Sequence, residues 1–493
     1  MPEVILAIDQ GTTGTAAMAV NEKLEVIAHA DREFTQHYPQ PGWVEHDASE
    51  IWAVTLSVVE QVVSACRSKG LSVAGIGITN QRETTVLWDR STLEPVGRAI
   101  VWQDRRTADE CRRLKKRGIE KAIRRKTGLL LDPYFCATKL HWLFHNDPQV
   151  RRRARDGKLA FGTIESWLIA KLTGGRTHVT DATNASRTLL YNLHTGAWDR
   201  DLLKVFGVPE AILPEIVPNA GVMGKTRDVG ILPDGTPIGG AAGDQQAALV
   251  GQACFSPGMA KCTYGTGAFV LMNVGKKPVP SRNQLLTTVA LDLHGTRTFA
   301  LEGSSFIAGA AVQWLRDGPG LIRSATEIEP LAREVPDTGG VQFVPALTGL
   351  GAPVWNPDAR GLFAGLTRGT TRAHLARAVL EGVAFQIVDL LEAMAADSGG
   401  KRIRELRVDG GASQNDLLMQ FQSDFLGQAV VRPHQTETTI VGAAFLGGLG
   451  VGYWKNTGQI ESVWSEEARF RPEIGGAERK KRVAAWRRWR DCA

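Results

Sequence analysis

Two short glycine–threonine turns, an adjacent arginine and glutamate, and an aspartate opening a helix carry the residue types that phosphoryl transfer to a small alcohol requires. In Ile5-Leu-Ala-Ile-Asp-Gln-Gly-Thr-Thr-Gly14 an apolar run ends at Asp9 and enters a turn rich in glycine and threonine. Glycine leaves room for an anion beside the backbone, threonine adds a hydroxyl donor, and a carboxylate at a strand end can place a hydrated Mg²⁺. Thr12, Thr13 and Gly14 are therefore candidate phosphate contacts and Asp9 a candidate metal residue, although an ordinary hairpin turn uses the same residues. A second turn, Gly265-Thr266-Gly267, again precedes an apolar strand. Two such turns half a chain apart imply two related lobes with a nucleotide between them.

The acceptor side is read from Gly77-Ile-Thr-Asn-Gln-Arg-Glu-Thr-Thr85, where a strand of small and apolar residues ends in a polar burst. Ligands bind at strand ends in α/β folds. Arg82 and Glu83 offer five donors and two acceptors, a set suited to a small neutral polyol, while by themselves they read equally as a surface ion pair. Trp102 and Tyr134, each beside polar neighbours, supply the apolar wall of a small-molecule pocket. Gly243-Asp-Gln-Gln246 delivers Asp244 and Gln245 at a helix start. An aspartate there can cap the helix, or accept a proton from a substrate hydroxyl, a role that typically contributes about 10²–10⁴ in rate.

These residues need strands ending at one edge. Residues 4–8, 16–20, 26–30 and 73–78 read as strands, 85–89 as a strand returning beside 73–78, and 51–66 as a helix capped by Asp47 or Ser49. The alternation is that of an α/β fold. His46, inside the loop before that helix, reads as structural. Residues 406–409 form a strand running into Gly410-Gly411 and then a helix, a turn that lets the chain pass close to a base or ribose. Neither a P-loop nor a Rossmann glycine turn is present.

At 493 residues the chain exceeds the roughly 250–300 at which one core stops growing, which predicts two domains, 1–252 and 253–493, with a boundary near 251–259. Charged residues at 22% and hydrophobic ones at 43% fit an ordinary globular protein rather than a disordered one. The net charge of +6 is small for this length; its basic runs read as solvated helix faces. The last run, with Val483, Trp486 and Trp489 at helical spacing, reads as a terminal helix docked by one face, and no nucleic-acid motif accompanies it. Residues 440–454 are apolar but too short to span a bilayer, and read as a buried helix followed by a loop. Six dispersed cysteines without metal-ligand spacing suggest reduced thiols, and the opening residues lack a basic n-region, so a cytoplasmic protein is expected.

Together, Asp9-Gln-Gly-Thr-Thr13, Gly42-Trp-Val-Glu-His-Asp47, Ile78-Thr-Asn-Gln-Arg-Glu-Thr84, Asp132-Pro-Tyr-Phe135, Gly243-Asp-Gln-Gln246, Thr263-Tyr-Gly-Thr-Gly267 and Asp409-Gly-Gly411 closely resemble the glycerol kinases of the FGGY carbohydrate kinase family, in the actin-like ATPase superfamily. The resemblance spans nearly the whole chain. It implies two ribonuclease H-like domains flanking a nucleotide cleft and ATP-dependent phosphorylation of glycerol to sn-glycerol 3-phosphate, the first step of glycerol catabolism, with Mg²⁺. By the same resemblance Arg82, Glu83, Tyr134, Asp244 and Gln245 hold the glycerol hydroxyls, and Trp102 and Phe269 cover its carbons. The resemblance further implies Asp244 as the general base, sharing the metal with Asp9, with Thr12, Thr13, Gly14 and Thr266 meeting the phosphates and Gly309, Gln313, Gly411 and Asn415 around the rest of the nucleotide. A homodimer or homotetramer is implied, with no nucleic-acid partner and no membrane span. A kinase for another small polyol or sugar, or an actin-like ATPase switch without an acceptor, are the competing readings.

The resemblance has gaps. Ala16 stands where well-known bacterial members carry an arginine near the nucleotide, so contacts there must differ. Residues 231–236 lack the Gly-x-Arg pattern associated with inhibition by fructose 1,6-bisphosphate, and residues 472–476 differ from the segment that contacts a sugar-transport regulator. Both controls are therefore expected to be absent. Millimolar fructose 1,6-bisphosphate added to the purified enzyme should leave glycerol-dependent turnover unchanged; clear inhibition would overturn that expectation.

Overall fold

The apolar run at the N-terminus forms the middle of a sheet because every residue from Val4 to Ile8 is buried on both faces. The computed structural model describes residues 2–401 and 403–493. In the first half the sheet is built from β1 (Glu3–Gln10), β2 (Gly14–Val20), β3 (Val26–Glu33), β4 (Ser72–Asn80), β5 (Ala220–Lys225) and β6 (Pro237–Gly243). β1, β2 and β3 form an antiparallel meander, while β4 runs parallel to β1 and β6 parallel to β4. In the second half β7 (Ala260–Tyr264), β8 (Ala268–Gly275), β9 (Leu286–Leu293), β10 (Thr296–Ser305), β11 (Glu405–Asp409), β12 (Ala429–Pro433) and β13 (Glu466–Phe470) repeat the plan. Strands β7, β8 and β10 are antiparallel neighbours, with β11 parallel to β7 and β12 parallel to β11. The orders β3-β2-β1-β4-β6 and β10-β8-β7-β11-β12 thus correspond, as the paired turns require. A single pairing of Ala220 in β5 with Leu293 in β9 joins both halves into one sheet.

One strand lies elsewhere than its sequence suggests. Residues 86–89 do not return beside β4 but pair antiparallel with Leu159–Gly162 in a separate two-stranded sheet. Both edges of β4 are already occupied, by β1 and β6, so the apolar segment Val86–Asp89 must find another partner.

Helices cover the faces: α1 (Ala48–Ser68), α2 (Asp244–Gly251), α3 (Gly309–Asp317), α4 (Arg372–Asp397), α5 (Asp416–Leu426), α6 (Thr438–Val451) and α7 (Gly476–Arg490). Asp47 caps α1, its side chain accepting from the backbone N–H of Ser49 at 2.8 Å and Glu50 at 3.3 Å. Ile51, Val58 and Val62 then fall on one face and join the core under β1. Each such buried side chain contributes about 1.5–3 kcal/mol.

α6 matters most for position. It comes from the second half of the chain but lies on the first lobe, where Phe445 and Trp454 pack with Ile5 and Ala7. Its glycines allow backbone to meet backbone: Gly442 lies against Ala247 of α2, Gly447 against Gly77 of β4, and Gly450 against Gly239 of β6. At the other end α7 docks on α4 as its spacing predicts. Trp486 is buried and donates to the Phe343 carbonyl at 2.8 Å, while Arg487 and Arg490 both pair with Asp389 at 2.6 Å. Much of the basic tail is thus matched within the chain.

A Cβ at Gly442 would lie well inside contact distance of the Ala247 carbonyl oxygen. Gly442→Ala should lower unfolding stability by about 2 kcal/mol or more, read from urea denaturation, because two backbones would have to separate. Gly97→Ala, at an exposed loop position where a Cβ meets open space and no left-handed φ is required, should stay within about 0.5 kcal/mol of the parent.

Candidate active site

Because β1, β4 and β6 are parallel, the first turn, the residues after Asn80 and the start of α2 all emerge at one edge. The same holds for β7 and β11 in the second lobe. Parallel strand ends are where α/β sheets bind ligands. The first turn is closed by Gly11 N–H donating to Gly14 O at 2.9 Å, and the second by Gly265 N–H donating to Gly267 O, also at 2.9 Å. Gln81 braces the first: its side-chain amide donates to Gln10 Oε1 and to Gly11 O, both at 3.0 Å. His46 is buried behind it, between Gln36 at 2.8 Å and Gln81 at 3.2 Å, and burial pushes its pKa down to about 4. It is a neutral brace, as its loop context suggests. Trp102 donates from Nε1 to Thr12 Oγ1 at 3.0 Å, which ties an acceptor-side candidate to a phosphate-side one. Thr13 is exposed on the turn and Gly14 opens β2.

In the second lobe α3 starts on the second turn. Ala308 and Ala310 N–H donate to Thr266 O at 2.9 and 3.0 Å, and Gly309 N–H donates to Gly265 O at 2.9 Å. A Cβ on Gly309 would come to 2.7 Å from that oxygen, so the approach needs glycine. Gly410, with φ of +82°, turns tightly against the Tyr264 carbonyl, and Gly411 follows in open space. Asn415 caps α5 by accepting from Leu418 N–H at 2.8 Å. Thr266 and Gly309 are therefore together, Gly411 follows the turn that packs on the end of β7, Asn415 lies just beyond it, and Gln313 is exposed one turn along α3.

The acceptor corner is an ionic cluster rather than a surface pair. Arg82 and Glu83 are buried, and each is matched to a distant residue instead of to the other. Arg82 donates to both oxygens of Glu302, at 2.7 Å from Nη1 and 3.1 Å from Nη2, and its Nε lies 2.9 Å from Asp244 Oδ1. The Glu83 carboxylate takes Arg187 Nε at 2.5 Å, and its carbonyl takes Lys139 Nζ at 2.9 Å. Arg187 also reaches Glu302, at 3.2 Å. Burial alone would raise the Glu302 pKa, yet Arg187 and Arg82 hold it down at about 2. Burial pushes Lys139 down to about 8, against the pull of nearby acidic groups. Tyr134 lies half-buried beside this cluster, edge-on to Trp102 at 5.5 Å between centroids and 5.6 Å from the Arg187 guanidinium. Gln245 is oriented by Lys261, whose Nζ donates to its Oε1 and to Thr263 Oγ1 at 2.8 Å. Phe269 pairs across the second hairpin with Thr263, half-buried.

Arg187, Glu302, Lys139 and Lys261 were not found from the sequence. Arg187 ends Thr180-Asp-Ala-Thr-Asn-Ala-Ser-Arg187, a polar burst after a strand like the one holding Arg82. Glu302 is a lone acid between apolar residues in β10, and that isolation was its signal.

Asp9 is the penultimate residue of β1 with Ala16 directly across the hairpin, so no cation faces it from β2. Burial, then the nearby charges of Asp244 and Glu437, raise its pKa to about 7. Two carboxylates of like charge sharing a cleft suit a divalent ion carried by nucleotide phosphates, since Mg²⁺ commonly takes one or two carboxylates and keeps its water. Among the described residues there is no group of three or more acidic, histidine or cysteine side chains for a resident metal.

Residues 4–251 match the N-terminal domain of the FGGY family of carbohydrate kinases, and residues 260–451 match its C-terminal domain. The glycerol kinase of Deinococcus radiodurans is 56% identical over 486 residues, covering 99% of this chain and 96% of that protein. That of Myxococcus xanthus is also 56% identical, covering 98% of each. The crystal structure of Plasmodium falciparum glycerol kinase with ADP superposes with a TM-score of 0.96 at 37% identity, over 99% of this chain and 98% of that one.

The raised Asp9 has a consequence for stability. Its folded pKa is about 7 against an ordinary 3.8, so the penalty is absent below pH 4, grows as the unfolded chain ionises between pH 4 and 7, and is constant above. Asp9→Asn should therefore raise the melting temperature of the ligand-free protein at pH 8 and leave it unchanged at pH 4. Thermal unfolding of both proteins at both pH values checks this, and an equal gain at both would contradict it.

Proposed function

The chain belongs to the FGGY family of carbohydrate kinases, and from that membership and the chemistry of its cleft we infer that it phosphorylates glycerol with ATP, releasing sn-glycerol 3-phosphate and ADP. The observation that carries this reading is the Arg82–Asp244 contact at 2.9 Å, set at the strand edge from which the first Gly-Thr turn also emerges. It offers a positioned donor and a proton acceptor to one small hydroxylated molecule, with Trp102 and Phe269 for its carbons.

In this reading Arg82, Glu83, Tyr134 and Gln245 hold the glycerol hydroxyls. Asp244, whose side chain is 33% exposed where Arg82 is 2% exposed, remains accessible to substrate and accepts the proton of the attacking hydroxyl. The turns at Thr12-Thr13-Gly14 and Thr266 cradle the phosphates, with Gly309, Gln313, Gly411 and Asn415 around the nucleoside. Asp9 and Asp244 would hold the Mg²⁺ that accompanies ATP; when bound it spreads the charge of the transferring phosphoryl group. Phosphoryl transfer depends chiefly on positioning and charge stabilisation, so closing the lobes to exclude water favours glycerol over water as acceptor.

Among the described residues no helix is long and apolar enough to cross a membrane. A cytoplasmic enzyme fits the six free cysteines, five of them buried, and the family resemblance supports assembly as a homodimer or homotetramer.

ADP release from Mg-ATP should depend on glycerol and fall about 10²–10⁴-fold in Asp244→Asn, with the KM for ATP changed only a few-fold. Turnover indifferent to glycerol would direct the search to other polyols and then to an ATPase switch.

A further inference from the structure

We propose that Glu302 is a positioning residue for the acceptor site: a carboxylate from the second lobe that fixes the Arg82 guanidinium and keeps Asp244 free for the substrate hydroxyl. The proposal rests on the glycerol reading above. Glu302 lies in β10, whereas Arg82 follows β4 and Arg187 follows the short helix Ala182–Ala185 of the first lobe. Its two oxygens take both terminal nitrogens of Arg82, at 2.7 and 3.1 Å, and one of them also takes Arg187 at 3.2 Å. All three side chains are at most 3% exposed.

A guanidinium is a rigid planar fork, so a two-pronged carboxylate fixes its plane as well as its place. With both terminal nitrogens on Glu302, only Nε is left on the side of Asp244, 2.9 Å from one of its oxygens and without a hydrogen-bond partner. Without Glu302 the fork would turn and take both Asp244 oxygens, occupying the atoms that the glycerol hydroxyl needs. The same loss leaves Arg187 with Glu83 alone, and its Nη2 joins Nη1, already without a hydrogen-bond partner, as a second unpartnered buried nitrogen. The neighbouring strand secures the arrangement across the lobes: Thr288 and Ser186 hydroxyls lie 2.8 Å apart, and Gln246 Nε2 donates to Val289 O at 3.2 Å. Arg82 therefore acquires its working orientation only where the two lobes meet.

Steady-state kinetics of Glu302→Gln and Glu302→Asp, with Asp292→Asn as a matched control, test this. Asp292 is another buried acid in the same sheet, paired with Arg297 at 2.8 Å. Glu302→Gln should raise the KM for glycerol about tenfold or more, hold the KM for ATP within about twofold, and lower kcat by less than the KM rises. Glu302→Asp, which keeps the charge, should recover part of the loss. Asp292→Asn should lower the melting temperature and leave the KM for glycerol within about twofold. If Glu302→Gln does not fold, the aspartate variant carries the same test through a selective rise in the glycerol KM. A glycerol KM unchanged in the folded Glu302 variants, or one moving in step with the KM for ATP, overturns the positioning role while leaving the kinase reading intact. No turnover of glycerol by the parent protein would overturn both.

Discussion

The contact between α6 and the first lobe is a meeting of backbones, and the geometry of the cleft depends on it. Gly442, Gly447 and Gly450 let the helix settle on α2, β4 and β6 at distances no side chain would permit. Arg82 follows β4 by two residues, and α2 begins with Asp244. A helix from the second half of the chain therefore sets the height at which both residues stand, and the residues of β7 and β10 face them from a fixed position. Close packing of this kind transmits small displacements, since interiors have little free volume to absorb them.

On that frame the acceptor corner resolves an electrostatic problem. Arginines and glutamates taken out of water are costly unless each finds a partner of good geometry. Here Glu302 pairs with Arg82 and Arg187, Glu83 with Arg187 and, through its carbonyl, with Lys139, while Arg82 Nε and Arg187 Nη1 stay without a hydrogen-bond partner and Asp244 is left partly exposed. The buried charged groups hold one another in place, and Asp244 is the carboxylate left reachable beside them. Asp9 stands apart, with Ala16 across the hairpin and its pKa raised toward neutrality. A residue held at such a cost is suited to meet a cation that arrives with the nucleotide.

Much of this was legible before the fold was known. The two Gly-Thr turns are local: their conformations follow from residues within a few positions, and the structure closes each with the same kind of backbone hydrogen bond. The capping of α1 by Asp47, the buried α6 and the docked face of α7 are likewise written in spacing and composition. Residues 86–89 were misplaced because an apolar strand does not announce its partner, and the vacant edge it seemed to have was already filled by β6. Arg187 and Glu302 were overlooked for a related reason. They stand 104 positions from Glu83 and 220 from Arg82, and neither their spacing nor their neighbours encode the contact.

The sequence by itself determined the class of fold, the two related lobes, the turns that suit phosphate and the residues offered to a small polyol. These depend on short-range preferences: strand ends, glycine conformations, helix caps and the alternation of apolar runs. Only the tertiary structure decided which charges pair. Arg82 and Glu83 are neighbours in the chain yet belong to different partners, Glu302 and Arg187, because burial forces each charge to find a counter-charge in space and the chain's order has no say in which is nearest.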